Sequence, residues 1–260
     1  MALRYRDRVY NKLQMAEPIA HWRDLEDCKK LLTLGTAADL TLAAAERATG
    51  RQIQVLHAHQ LAEKEWISEP FERNPTSVCM RHDMKKGVDV IVAPLLHLGH
   101  FTLLALHVDS RGNPLALCFF DSRGSNYRDW TPNWQHERFL KFCEAITGTN
   151  FATLQAMDVL DCRISYQTDG SSCAIFCVVT TMLIGRQIET QCVLLNDEVV
   201  KFRKKLYRWC QANCRPAFPK PVVYPRIDNS TEQYYPEAIQ FFGTFSYCCC
   251  NNVFQKRQPA

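Results

Sequence analysis

The 260-residue sequence predicts an α+β protein with a central antiparallel or mixed sheet flanked by helices. Apolar runs at 88–94, 101–109 and 115–121 give the densest strand signal in the chain. The last two are joined by Asp109-Ser110-Arg111-Gly112-Asn113-Pro114, a cluster with the chemistry of a hairpin or tight loop. On either side, apolar residues recur at helical rather than alternating spacing. Hydrophobic residues make up 47% and charged residues 22%, the balance of a globular chain, which excludes a disordered protein, a collagen and a coiled coil. The length suits one domain, or one domain with an appendage.

Taken in order, residues 24–34 place Leu25, Cys28, Leu31 and Leu32 on one helical face, with Gly35 as a stop. Residues 39–49 form an Ala- and Leu-rich helix ending at Gly50, and 52–57 alternate as a short strand. After the three β runs, residues 137–146 predict an amphipathic helix with Phe139, Leu140, Phe142 and Cys143 inward. Residues 157–167 read as a strand. From Ser171 a helix begins that is apolar on nearly all sides, as Cys173, Ile175, Phe176, Val178, Val179 and Met182 require. A basic amphipathic helix over 197–210 buries Val199, Val200, Phe202, Leu206 and Trp209, and from Pro216 periodicity is lost. The expected organisation is a catalytic region over 1–195, with a helical part at 1–65 and the sheet and active site at 85–190. A C-terminal regulatory or cofactor-binding region, 196–260, packs on it.

A net charge of +4 with no continuous basic stripe does not mark a nucleic-acid binder. The longest apolar run, 173–184, falls far short of the roughly 20 residues that cross a bilayer, so no transmembrane helix is expected. The first twelve residues lack the apolar core of a Sec signal. Thirteen cysteines, several inside apolar runs, read as buried thiols of a reducing compartment rather than a disulfide framework.

Three polar residues stand at the ends of apolar elements. His100 opens a strand, Asp121 ends the next, and Cys173 opens the buried helix after the polar turn 167–172. A sulfur at a helix N-terminus meets backbone N–H groups and a dipole that favour thiolate. An imidazole can take its proton, and a carboxylate on the other ring nitrogen can fix the tautomer. Gln167, six residues before Cys173, carries an amide able to donate to an oxyanion. His97 and His100, or His57 and His59, could begin a zinc site, but no Cys-x2-Cys pair accompanies them and no metal is expected.

The order His…Asp…Gln…Cys, carried by His100-Phe101, Phe120-Asp121-Ser122 and 167–176, resembles a clan of cysteine enzymes. That clan contains the ubiquitin-like-protein proteases and the YopJ-type bacterial effector acetyltransferases. The resemblance implies the cysteine-protease-like fold of the clan, with His100 as general base, Asp121 orienting it, Gln167 at the oxyanion hole and Cys173 acylated. The proteases usually carry Asp-Cys-Gly at the nucleophile and Trp after the His, where this chain has Ser172-Cys173-Ala174 and Phe101. His-Phe and Cys-x-Ile-Phe are similar to the YopJ type.

That resemblance implies an effector acyltransferase, delivered into the host cytoplasm by a dedicated secretion system. It would move acetyl from acetyl-CoA through a Cys thioester to Ser, Thr or Lys of host signalling proteins, with inositol hexakisphosphate as activator. Lys201, Arg203, Lys204, Lys205 and Arg208 on the basic helix are the candidates for an inositol-phosphate or CoA site; a solvated helix face accounts for them equally well. Cys248, Cys249 and Cys250 could be S-acylated for membrane contact, or form a buried or redundant group. Two alternatives stand beside transfer: an isopeptidase with the same triad, removing ubiquitin or SUMO, and a non-catalytic binding module.

Overall fold

A computed structural model describes residues 22–47, 50–56, 87–131, 133–164, 167–186, 195–212 and 216–223. Among the described residues five strands form one sheet in the order β1-β2-β3-β4-β5: β1 Ile53–Val55, β2 Val90–His97, β3 His100–Val108, β4 Pro114–Asp121 and β5 Val159–Arg163. β2, β3 and β4 pair antiparallel, while β1 lies parallel to β2 and β5 parallel to β4. The expected α+β architecture with a central mixed sheet is therefore what the chain forms. The Asp109 cluster makes the hairpin turn between β3 and β4. Its Oδ1 accepts the N–H groups of Arg111 and Asn113, both at 2.8 Å.

The side-chain alternation of β3 and β4 divides the core. Phe101, Leu103, Ala105, Cys118 and Phe120 face one layer, formed by α1 (Leu34–Glu46), α5 (Cys173–Gly185) and α6 (Asn196–Gln211). Leu104, Leu106, Leu117 and Phe119 face the other, where α3 (Asn133–Thr147) supplies Phe139, Leu140, Phe142 and Cys143 as expected. Two short helices, α2 (Tyr127–Trp130) and α4 (Phe151–Gln155), connect the elements. Every residue of α5 is buried, so its apolar sequence reflects a helix inside the protein. Among the described residues no helix is long and apolar enough to cross a membrane.

The segment 24–34 departs from its expected helix. Only Trp22–Leu25 winds, as a 3-10 turn, and α1 starts at Leu34, so Gly35 lies in its first turn instead of after a last one. Two interactions decide this. Thr33 is the N-cap of α1, its Oγ1 accepting the Thr36 N–H at 3.3 Å. Arg203 of α6 takes the carbonyls of Asp24 and Lys30, each at 2.6 Å, together with those of Leu25 and Cys28 at 3.3 and 3.5 Å. Carbonyls turned toward a buried guanidinium cannot serve a helix ladder. Gly50 has a packing role: its N–H and that of Arg51 both donate to Gly185 O, and a Cβ at residue 50 would stand 2.9 Å from that oxygen. In α6, Val199, Phe202, Leu206 and Trp209 join the same core as α5, so this helix is integral to the body that carries Cys173.

Candidate active site

His100, Asp121 and the start of α5 meet at one end of the sheet. In the β3–β4 register Leu103 lies opposite Phe120, which sets Asp121 one step further and His100 diagonally across from it. The two side chains meet there: His100 Nε2 and Asp121 Oδ1 are 2.6 Å apart, both fully or almost fully buried. Asp121 also accepts the N–H groups of Arg123 (Oδ1) and Ser125 (Oδ2), each at 2.9 Å. Burial opposes its charge, but His100, the Arg123 N–H and the Ser125 side chain prevail and hold its carboxyl below the usual carboxylate range. The acid is therefore ionised at neutral pH and anchored on both oxygens.

Cys173, the first residue of α5, is wholly buried beneath this pair. The imidazole of His100 senses both partners: burial disfavours its cation, yet Asp121 and then Cys173 outweigh burial and raise its pKa. Nε2 is committed to Asp121, while the buried Nδ1 forms no hydrogen bond of good geometry. That nitrogen is the one left for the thiol. Catalytic hydrogen bonds that are loose in a free enzyme often tighten with substrate. The thiol borders a crevice lined by Phe101, Phe120, Ile164, Phe176 and the hydroxyl residues Ser122 and Thr180, too narrow to admit a water molecule.

The turn before Cys173 is built on Asp169, which the sequence reading passed over. Its Oδ1 accepts the N–H groups of Ser171 and Ser172, both at 2.7 Å. Burial would raise this carboxyl, but those donors lower it. Ser172 itself makes no side-chain cap, so Asp169 satisfies the N–H groups just ahead of the helix. The signal was present as Asp169-Gly170-Ser171-Ser172, an Asx-type turn running into a helix start. Gln167 is brought beside the acid. Its N–H donates to Ser122 O at 2.6 Å, and Ser122 Oγ donates to its Oε1 at 2.8 Å. Its Nε2, however, donates into the turn, to Asp169 O at 2.6 Å. To serve an oxyanion, that amide has to exchange this acceptor.

Trp130 also went unremarked in the sequence. Its ring packs edge-on to His100 at 5.3 Å and to His97 at 5.6 Å. The residue after His100, Phe101, is instead buried in the core. An indole thus lies against the imidazole, supplied by α2 rather than by the next position in the strand.

The cationic candidates on α6 separate. Lys204, Lys205 and Arg208 are exposed, and the exposed Lys201 pairs with Glu198 at 2.6 Å. Arg203 does not belong with them: it is fully buried and spent on the backbone carbonyls of 24–30, so it cannot face a phosphate in solvent. Cys248, Cys249 and Cys250 lie outside the described residues. Of the paired histidines, His97 sits opposite His100 in the sheet while His100 is bonded to Asp121. Among the described residues no group of three or more His, Cys, Asp or Glu is arranged to hold a metal.

An imidazole backed by a carboxylate and next to a thiol at a helix N-terminus can generate a nucleophile, form a thioester and protonate a leaving amine. No protein-family model matches the chain. No curated protein is similar to it in sequence. Solved structures are. The catalytic domain of a Ulp1-like SUMO protease from Chaetomium thermophilum superposes with a TM-score of 0.54 at 13% identity, over 83% of this chain and 91% of that one. SUMO protease Ulp1, with its catalytic cysteine oxidised to a sulfenic acid, gives 0.52 at 13% identity, over 80% and 94%. The C-terminal Ulp1 protease domain in complex with SMT3, the yeast ortholog of SUMO, gives 0.51 at 14% identity, over 80% and 94%. With a five-stranded mixed sheet between helical layers, the chain has the fold of the Ulp1-like cysteine proteases.

Proposed function

We propose that the chain is a cysteine isopeptidase that cleaves after the C-terminus of a ubiquitin-like protein of the SUMO type. The observation that carries the reading is the His100–Asp121 pair at 2.6 Å beside Cys173, placed on a fold shared with SUMO proteases. In the proposed reaction Nδ1 of His100 takes the thiol proton as Sγ attacks the scissile carbonyl. The imidazolium then gives that proton to the departing lysine amine, leaving a thioester on Cys173. Water, deprotonated by His100, releases the acyl group and restores the thiol. Asp121 stays ionised throughout and holds the ring. The N–H groups at the start of α5, with the Gln167 amide once it leaves Asp169, supply oxyanion donors. Cys173 and His100 are both buried and Trp130 packs edge-on against the imidazole, so entry of substrate requires this end of the sheet to open.

Acetyl transfer of the YopJ type uses the same thioester with a protein hydroxyl or amine as acceptor, and one observation favours it. Phe101 and the Ser172-Cys173-Ala174 sequence depart from the pattern usual in the proteases. Against it, the similar folds are SUMO proteases, and the loss of Arg203 to the interior thins the cation cluster that an inositol polyphosphate would need. Delivery into a host cell goes with the transfer reading. Incubating the protein with SUMO and ubiquitin bearing C-terminal propargylamide separates the two: a covalent adduct on Cys173 supports the isopeptidase. Label from radioactive acetyl-CoA on Cys173, stimulated by inositol hexakisphosphate and without any adduct, would replace it with the transferase. Neither product, with Cys173→Ala leaving biological activity intact, would leave a binding module.

A further inference from the structure

β2 and β3 are joined by a two-residue turn, Leu98-Gly99, in which both residues have positive φ, 45° and 74°. A turn of this kind suits Asn, Asp or Gly at its first position, because a larger L side chain crowds its own backbone there. Among the described residues Leu98 is the one non-glycine with positive φ. It is also 82% exposed, far beyond the other exposed large hydrophobics among the described residues, Leu31, Trp134 and Leu195 at 37–40%. The position therefore carries a backbone penalty and a hydration penalty together, and no burial within the fold offsets either. Strain of this sort marks sites where the side chain is used.

The location says what for. Leu98 is two residues from His100, on a hairpin closed by the His97–His100 pair, so it is fixed at the imidazole's side of the site. The first turn of α3 is tied to this hairpin, Gln135 donating from Nε2 to Leu96 O at 3.0 Å. In thioester formation the imidazolium must reach the leaving nitrogen, which puts the leaving group on the imidazole's side and the acyl chain toward the α5 N-terminus. For an isopeptide the leaving group is a lysine amine on a four-methylene stem, an apolar rod that runs several ångströms from the reacting nitrogen. Two residues of strand span about 7 Å, the same scale.

Building on the isopeptidase reading, we infer that Leu98 is the apolar wall for the methylene stem of the modified lysine, and so sets preference for lysine-linked leaving groups. The test compares wild type, Leu98→Asn and Leu98→Met in three measurements: Tm, the rate of adduct formation with SUMO-propargylamide, which has no leaving-side chain, and kcat/KM on a SUMO–lysine isopeptide conjugate. Leu98→Asn relieves the turn and is expected to raise Tm while lowering isopeptide kcat/KM by about fivefold or more, the scale of one lost apolar contact, with adduct formation unchanged. Leu98→Met, which restores apolar reach, recovers most of the isopeptide rate. An unchanged isopeptide rate in Leu98→Asn overturns the inference, and so does an equal fall in both reactions, which would place the contact on the acyl side. Failure of the wild type to react with any ubiquitin-like probe is a different outcome: it removes the isopeptidase reading itself, and the inference with it.

Discussion

The hydroxyl of Ser171 donates to the carbonyl oxygen of Cys28 at 2.8 Å, across 143 residues of sequence. The same carbonyl faces the buried guanidinium of Arg203 at 3.5 Å. One backbone oxygen thus ties the turn that precedes Cys173 to the N-terminal segment and, through Arg203, to α6. The nucleophile turn is held from three directions: by Asp169 within itself, by Gln167 against Ser122, and by the 24–30 segment.

Removing the guanidinium is expected to loosen that assembly. Arg203→Met leaves the carbonyls of Asp24, Leu25, Cys28 and Lys30 without their shared donor in a buried place. The expected loss is about 3 kcal/mol of stability, read as a lowered urea midpoint. Neutralising the exposed Lys204 and Lys205 on the same helix leaves the midpoint within about 0.5 kcal/mol of wild type.

Asp169→Ala deprives the Ser171 and Ser172 N–H groups of their acceptor and is expected to cost about 1–2 kcal/mol, as loss of a helix cap does. Asp169→Asn keeps an oxygen there and loses less. Because the folded carboxyl is held below its unfolded value, its stabilisation is present above about pH 4 and disappears as pH falls through the folded pKa. Acid titrations of stability are therefore flatter for Asp169→Ala than for wild type.

Much of this was legible in the sequence, for physical reasons that also explain the failures. The apolar runs of β2, β3 and β4 are buried and bounded by turn residues, so both their place and the ends that carry His100 and Asp121 could be read. The apolar sequence of α5 is equally direct, since the helix is enclosed on every side. Residues 24–34 misled because Leu25, Cys28, Leu31 and Leu32 do have helical spacing, while the force that breaks the helix comes from Arg203, nearly two hundred residues away. Arg203 was misread for the same reason: on a basic helix, nothing local distinguishes the inward cation from its solvated neighbours. Trp130 reaches His100 from a separate short helix, a proximity no spacing reveals.

The pH behaviour of His100 reports on the pair. Its folded pKa is raised, so its stabilising contribution is complete below the unfolded value of about 6.5 and is lost as pH rises through the folded value. For Asp121, held low, the contribution is present above about pH 4 and is lost as pH falls through the folded value. Asp121→Asn removes the main partner of the imidazolium. NMR titration of the His100 ring should then give a midpoint below that of wild type, and the alkaline fall in stability should shrink.

Trp130→Ala uncovers the imidazole face. The rate at which iodoacetamide alkylates Cys173 in the native protein is expected to rise, and His100 to gain solvent exchange, while the far-UV spectrum is retained. An alkylation rate equal to that of wild type would show that the indole does not gate the thiol.

The most direct measurement is the reaction of native protein with SUMO-propargylamide, followed by peptide mapping of the adduct. A single adduct on Cys173, abolished by His100→Ala and by Cys173→Ser, is the predicted result. Contradiction would come from an adduct that forms equally well without the imidazole, from modification at Cys28 instead, or from reaction only after denaturation.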